Sequence, residues 1–334
     1  MKSIVFFNNK GGVGKTTLIC NVAAYLSLEL DKKVLVVDAD PQCNATSYCL
    51  SDEKLDELYL TDKRDTIESF LKPVRRGTGY LEKRISPIKT DNFGFDLIPG
   101  DPLLALSEDS LASDWSEAIV GKYRGLQTTF VFSHLSYLYD DYDFIFFDVG
   151  PSLGALNRAI LISSDYFTIP MSVDTFSLMA IKNIKTSLIN WRDNINGGLR
   201  IYKKYEGGGD SFYIKDKGMK WKLFFIGYVM QQYRAKTVRG KKVQVKSFEK
   251  IARKIPTIIK SDISDEFSIS KDLVPKLGEI ENMNSLIPMS QLAHTPVFSL
   301  KGIDGVVGAH FAKVNDAKKI YSNICKKLLN NIKV

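Results

Sequence analysis

At 334 residues, 44% of them hydrophobic, the chain is long enough to bury a substantial core, and it carries a formal net charge of +8. It has no run of eighteen apolar residues, which excludes a conventional membrane-spanning helix. Its four cysteines, Cys20, Cys43, Cys49 and Cys325, follow neither a disulfide framework nor a zinc spacing and read as reduced thiols, and three histidines argue against a metal centre built on imidazole.

Met1-Lys2-Ser3 leads straight into the apolar run at 4–7, leaving no expected room for a signal peptide or a separate N-terminal DNA-binding module. Lys10-Gly11-Gly12-Val13-Gly14-Lys15-Thr16-Thr17 follows, and then residues 18–26 with apolar side chains at helical spacing. Strand, glycine loop and helix in that order form a phosphate-binding loop. The glycines let successive backbone N–H groups converge on phosphate oxygens, and the helix points its positive end at the same charge. Lys15 can reach the β- and γ-phosphates, while the Thr16 hydroxyl is placed to ligate Mg²⁺.

Residues 33–42, Lys-Val-Leu-Val-Val-Asp-Ala-Asp-Pro-Gln, read as a buried parallel strand ending in Asp38 and Asp40. Ligands of open α/β sheets sit beyond the carboxyl ends of strands, so these acids arrive beside the phosphates. Residues 51–92 are polar, with helical pieces around 66–71; a short strand at 95–98 and helices within 103–138 follow. Trp115, Tyr123 and Phe130 in that region read as packing residues. Residues 142–148 form another apolar strand ending in an acid, Asp148, the arrangement that directs a carboxylate towards Mg²⁺.

A strand at 165–173 and a helix at 178–191 come next, with Met179, Ile181, Ile184, Leu188 and Ile189 at core spacing. Residues 192–222, rich in Gly, Lys and Tyr, are expected to be an inserted loop or hairpin, and a strand at 223–230 resumes the fold. Residues 231–260 hold ten Lys/Arg against the single acid Glu249, so this one segment exceeds the surplus of the whole chain. Such clustering suits a polyanion-facing surface, although a solvated face has the same composition. Residues 245–254 read as a helix and 255–285 as a second insertion. His294 reads as a loop residue. From 314 onward apolar residues recur at helical spacing with lysines between them; this helix either packs on the sheet, the preferred reading, or lies on anionic lipid.

KGGVGKTT resembles the deviant Walker A loop of the ParA/MinD family of dimeric ATPases. DADPQ resembles the family's switch I, and Asp148-Val-Gly-Pro-Ser-Leu-Gly its switch II, with Gly150 in place of a proline and a looser backbone expected there. The resemblance implies one α/β domain over 1–334, a mostly parallel twisted sheet flanked by helices, binding ATP and Mg²⁺. It implies that Lys10 reaches the phosphates held by a second subunit, that Asp40 orients the attacking water and that Asp38 supports the Mg²⁺ shell beside Thr16 and Asp148. By the same resemblance Gly11, Gly12, Val13, Gly14, Lys15, Thr16 and Thr17 cradle the nucleotide, and Pro288 lies against the adenine.

Basic residues at the family's DNA-contacting place correspond to Lys236, Arg239, Lys241, Lys242 and Lys246. The implied partners are a second copy of the chain, non-specific DNA and an adaptor that stimulates hydrolysis, in the cytoplasm on the nucleoid. The alternatives are a MinD-like membrane-positioning ATPase and an ATP-dependent scaffold. A reductase holding an iron–sulfur cluster at a dimer seam is disfavoured by the placement of Cys43 and Cys49.

Overall fold

A computed structural model of the chain describes every residue other than Asp62, Lys63, Arg234, Arg239, Gly240, Val245, Asn284 and Val334, and between 232 and 248 it describes the backbone alone. The strands are β1 (Lys2–Phe6), β2 (Val34–Ala39), β3 (Ile88–Lys89), β4 (Asp96–Ile98), β5 (Phe144–Val149), β6 (Tyr166–Ser172), β7 (Tyr213–Ile214), β8 (Lys217–Gly218), β9 (Phe224–Tyr233), β10 (Ala235–Val238), β11 (Lys241–Gln244) and β12 (Lys276–Glu281). Eight of them make one sheet in the order β12-β9-β6-β1-β5-β2-β4-β3. Every pairing in it is parallel except that of β3 with β4. This is the helix-flanked, mostly parallel sheet expected from the sequence.

Alternation along each central strand divides the core into two layers. Val5, Phe7, Val37 and Phe147 face a layer closed by helices Val131–Leu138, Ala155–Ser163 and Thr175–Tyr205. Ile4, Phe6, Val36 and Phe146 face the other, closed by helices Lys15–Leu30 and His310–Lys333. The C-terminal helix therefore packs on the sheet, with Val314, Ala317, Tyr321, Cys325 and Leu328 buried. Its apolar stripe is used up in the core. No helix among the described residues is long and apolar enough to cross a membrane.

The two stretches expected to be insertions contain regular elements. The helix expected at 178–191 runs unbroken from Thr175 to Tyr205, 31 residues, so only the stretch after it is loop and hairpin. Gly197-Gly198 suggested a break, yet Gly198 sits where a Cβ would come within 2.0 Å of the Ala118 carbonyl oxygen. The glycine permits two helices to touch. In the second stretch β12 belongs to the main sheet as an edge strand parallel to β9. Its sequence, Lys-Leu-Gly-Glu-Ile-Glu, puts charges between its apolar residues, as edge strands do, and so hid it.

Candidate functional site

The chain ends of β1, β2, β5, β6 and β9 converge at one edge of the sheet, where β1 lies between β5 and β6, the strands through which the two halves of the sheet meet. The loop after β1 wraps back on itself with Gly12 at φ 70° and Gly14 at φ 76°, conformations that cost glycine nothing. Helix Lys15–Leu30 begins directly after Gly14 and has no acidic residue in its first turn. Its free N–H groups and dipole face the loop cavity.

Lys15 is nearly buried, and its ammonium donates to the carbonyls of Asn8 (3.1 Å) and Lys10 (3.4 Å), bridging the loop it closes. Burial lowers its pKa while the charges of Asp148 and Asp40 oppose that shift. The Thr16 hydroxyl donates to Asp148 Oδ2 at 2.7 Å. The other oxygen of Asp148, Oδ1, is buried without a hydrogen-bond partner. Burial and the nearby Asp38 charge push the Asp148 carboxyl up to about 8. A buried carboxylate with one free oxygen, beside a hydroxyl and a lysine, is a donor set that suits a hydrated divalent cation with phosphate as its remaining ligand. No cluster of three or more His, Cys, Asp or Glu occurs among the described residues that could hold a metal alone.

Asp38 is fully buried and both its oxygens are engaged: Oδ2 accepts from the Thr46 N–H (2.8 Å) and hydroxyl (2.6 Å), and Oδ1 from the Asp40 N–H (3.3 Å). Its carboxyl is raised to about 6 by burial, against the lowering effect of the Thr46 bonds. Asp38 thus shapes the segment that carries Asp40. Asp40 itself is 7% exposed, accepts from the Gln42 N–H at 3.1 Å, and lies across from Gly150, where a Cβ would approach its Oδ1 to 3.3 Å. Gly150 is not a loose point, since the Asn157 amide holds its carbonyl at 2.9 Å.

Lys10 stands at the entrance of the loop. Its ammonium pairs with Asp174, the residue that caps helix Thr175–Tyr205 by accepting from the Ser177 N–H. Its backbone N–H is held by Asn8 Oδ1 at 2.9 Å, and Asn8 in turn donates to the Pro170 carbonyl. Pro288, in helix Leu286–Leu292, lines a cavity of about 290 Å³ together with Gly14, Thr17, Gln231, Ile287 and Tyr321. The cavity adjoins the loop at Gly14 and Thr17, and its size accommodates a purine.

Sequence reasoning missed Asp174 and Gln231. Gln231 is buried at the end of β9 and donates to the Gly14 carbonyl at 3.2 Å, tying the sheet to the loop. A glutamine ending an apolar strand was its visible signal. Of the basic residues expected to meet DNA, Arg239 lies outside the described residues. Lys236, Lys241, Lys242 and Lys246 lie where the backbone alone is described: β10 and β11 form an antiparallel hairpin pairing Lys236 with Val243 and Thr237 with Lys242, directly after β9. All four cysteines are free, and all four are buried.

Residues 1–201 match the family described as "AAA domain". The virulence plasmid ParA family protein pGP5-D of Chlamydia psittaci is 30% identical over 55% of this chain, which spans 62% of that relative's length. The sporulation initiation inhibitor protein Soj of Bacillus subtilis is 32% identical over 60% of this chain and 70% of its own. Among solved structures, protein DIP2308 from Corynebacterium diphtheriae aligns with a TM-score of 0.70 and 31% identity, covering 88% of this chain and 97% of that one. The ATP complex of a McdA variant from Cyanothece aligns with a TM-score of 0.62 over 98% of this chain and 96% of that one, at 16% identity, a likeness of fold.

Proposed function

The chain is a member of the ParA/MinD family of P-loop ATPases, to which its ParA and Soj relatives belong, and from that premise we propose that it is an ATPase of partition or positioning. It binds ATP with Mg²⁺, closes into a two-subunit sandwich, binds DNA without sequence preference in that state, and leaves it on hydrolysis. The observation that carries this reading is the meeting of Lys15, Thr16, Asp40 and Asp148 at one sheet edge, with one oxygen of Asp148 buried and unpartnered.

When bound, Mg²⁺ supplies charge neutralisation on the phosphates. Thr16 and Asp148 would hold it, with Asp38 bracing the neighbouring segment. Lys15 and the backbone of residues 11–17 bind and orient the phosphates, Pro288 and Gln231 border the base, and Asp40 holds the attacking water. Lys10 is placed at the loop mouth, from which a flexible lysine can swing to a facing subunit. The lysines of the β10–β11 hairpin meet phosphate backbones through charge alone. A protein adaptor would accelerate turnover, and the protein would work in the cytoplasm on the nucleoid.

The test is ATP turnover and duplex-DNA retention measured together: DNA binding stronger with ATP than with ADP supports the reading, and equal binding contradicts it. A MinD-like membrane role is disfavoured because the apolar face of helix His310–Lys333 is buried against β9 and β12. Co-sedimentation with anionic vesicles in ATP, without DNA binding, would favour it instead.

A further inference from the structure

Helix Thr175–Tyr205 starts at the nucleotide edge of the sheet and runs back along it. At 31 residues it is about 46 Å long, whereas the strands beneath it hold five to ten residues. It therefore overshoots the opposite edge, where β9 begins by pairing Phe224 with Tyr166 at the start of β6. The chain folds back at that far end. Gly207 and Gly209 donate to the carbonyls of Tyr202 and Lys203, and Phe212 packs its ring against Tyr123 and Tyr202, each at 5.5 Å, which pins the β7–β8 hairpin beside the last helical turns.

This far end is strongly cationic. Residues 200–222 hold seven Lys/Arg against three acids. Glu206, one of the three, is neutralised by Lys122 and the Tyr123 N–H, and Lys222 is spent on Asp165. Arg200, Lys203, Lys204, Lys215, Lys217 and Lys220 are exposed, and none of the six makes an ion pair among the described residues. Tyr205, Tyr213 and Tyr123 stand exposed among them at 68%, 55% and 51%. The hairpin turn places Lys215 and Asp216 both at positive φ, 46° and 61°. Glycine or asparagine would adopt that turn without strain, so retaining a lysine at the tip sets a charge there at a cost of about 1 kcal/mol or more.

We propose that this end of the molecule is a second nucleic-acid surface, which grips the phosphate backbone of duplex DNA. Cations without a carboxylate partner supply the attraction, although Lys217 and Lys204 also lie over the rings of Tyr137 and Tyr205, and exposed tyrosines supply hydroxyl donors and ring faces between them, the pairing of side chains that nucleic-acid surfaces use. It lies across the length of the sheet from the β10–β11 hairpin, and one subunit presents it whole. Its binding is therefore independent of nucleotide and of dimer formation, unlike the binding proposed above. Two surfaces at opposite ends let a single protein hold two DNA segments.

The experiment is fluorescence anisotropy of a labelled random-sequence duplex with full-length protein in Mg²⁺ and ADP or ATP, across a salt series. The Lys203→Glu/Lys204→Glu/Lys215→Glu/Lys220→Glu variant should lose at least about tenfold affinity in ADP and shed about 3 from the salt slope. Its DNA-free ATP turnover should match the parent. The corresponding Gln variant should lose less, and the fold-loss of the Glu variant should be the same in ADP as in ATP. Absence of ADP-state DNA binding by the parent, or an unchanged slope in the Glu variant, overturns the proposal. Loss of phosphatidylserine-vesicle binding with DNA binding untouched overturns it too, in favour of a lipid surface. Failure of ATP to strengthen DNA binding speaks against the ATP-dependent sandwich alone.

Discussion

Lys10, the lysine that opens the phosphate loop, is held within its own chain by Asp174, the residue that starts the longest helix. Both side chains are about one-third exposed or less, so the pair is weak by the standards of buried ions, worth about 1 kcal/mol at most. A pair of that strength does not fix the ammonium in place. Asp174→Asn keeps a capping side chain for Ser177 while removing the charge. The expected outcome is a few-fold fall in the ATP concentration that half-saturates turnover-competent dimer, measured by turnover against ATP at fixed protein. An unchanged half-saturation would show that the pair restrains nothing.

Lys15→Ala removes the ammonium that bridges the Asn8 and Lys10 carbonyls. Charge-assisted contacts to phosphate are worth about 1.5–3 kcal/mol each, so nucleotide affinity should fall by about 100-fold or more. Binding of a fluorescent ATP analogue is the measurement. Lys10→Ala, by contrast, should leave that affinity within about twofold while turnover drops.

The Asp148 carboxyl, raised to about 8 mainly by burial, gives a pH dependence whose sign follows from linkage. Between the ordinary carboxylate range and about pH 8 the folded nucleotide-free chain keeps a proton that the unfolded chain has released. Its stability should therefore fall as pH rises through that window, and Asp148→Asn should flatten the fall. Mg²⁺ competes with the same proton, so Mg²⁺-dependent nucleotide affinity should rise from pH 6 to pH 8. Thermal melting of the nucleotide-free protein and titration calorimetry with Mg²⁺ check the two halves.

Adjacent glycines in helix Thr175–Tyr205 should respond oppositely to alanine. A Cβ on Gly197 meets nothing within 4 Å, so Gly197→Ala should stabilise by about 0.5–1 kcal/mol through helix propensity. Gly198→Ala drives a methyl into the Ala118 carbonyl and should destabilise by about 1–3 kcal/mol. Urea midpoints of the two variants are the test.

What could be read in advance was what depends on local chemistry. Gly12, Gly14 and Lys15 announce a phosphate loop because few other functions need that spacing, and apolar strands ending in Asp38 and Asp148 announce the parallel sheet. The sequence was silent where a residue's meaning comes from its neighbour. Gly198 resembles a loop residue until the facing helix is seen, β12 is too charged to look like part of a sheet, and Asp174 and Gln231 matter only because the fold brings them to Lys10 and Gly14.

The central claim is that Lys10 acts on a second copy of the chain. Sedimentation velocity of Asp40→Ala with ATP and Mg²⁺, beside Lys10→Ala/Asp40→Ala, measures it directly. A species of twice the chain mass is expected for the first and the single-chain mass for the second. A dimer of equal population in both would contradict it.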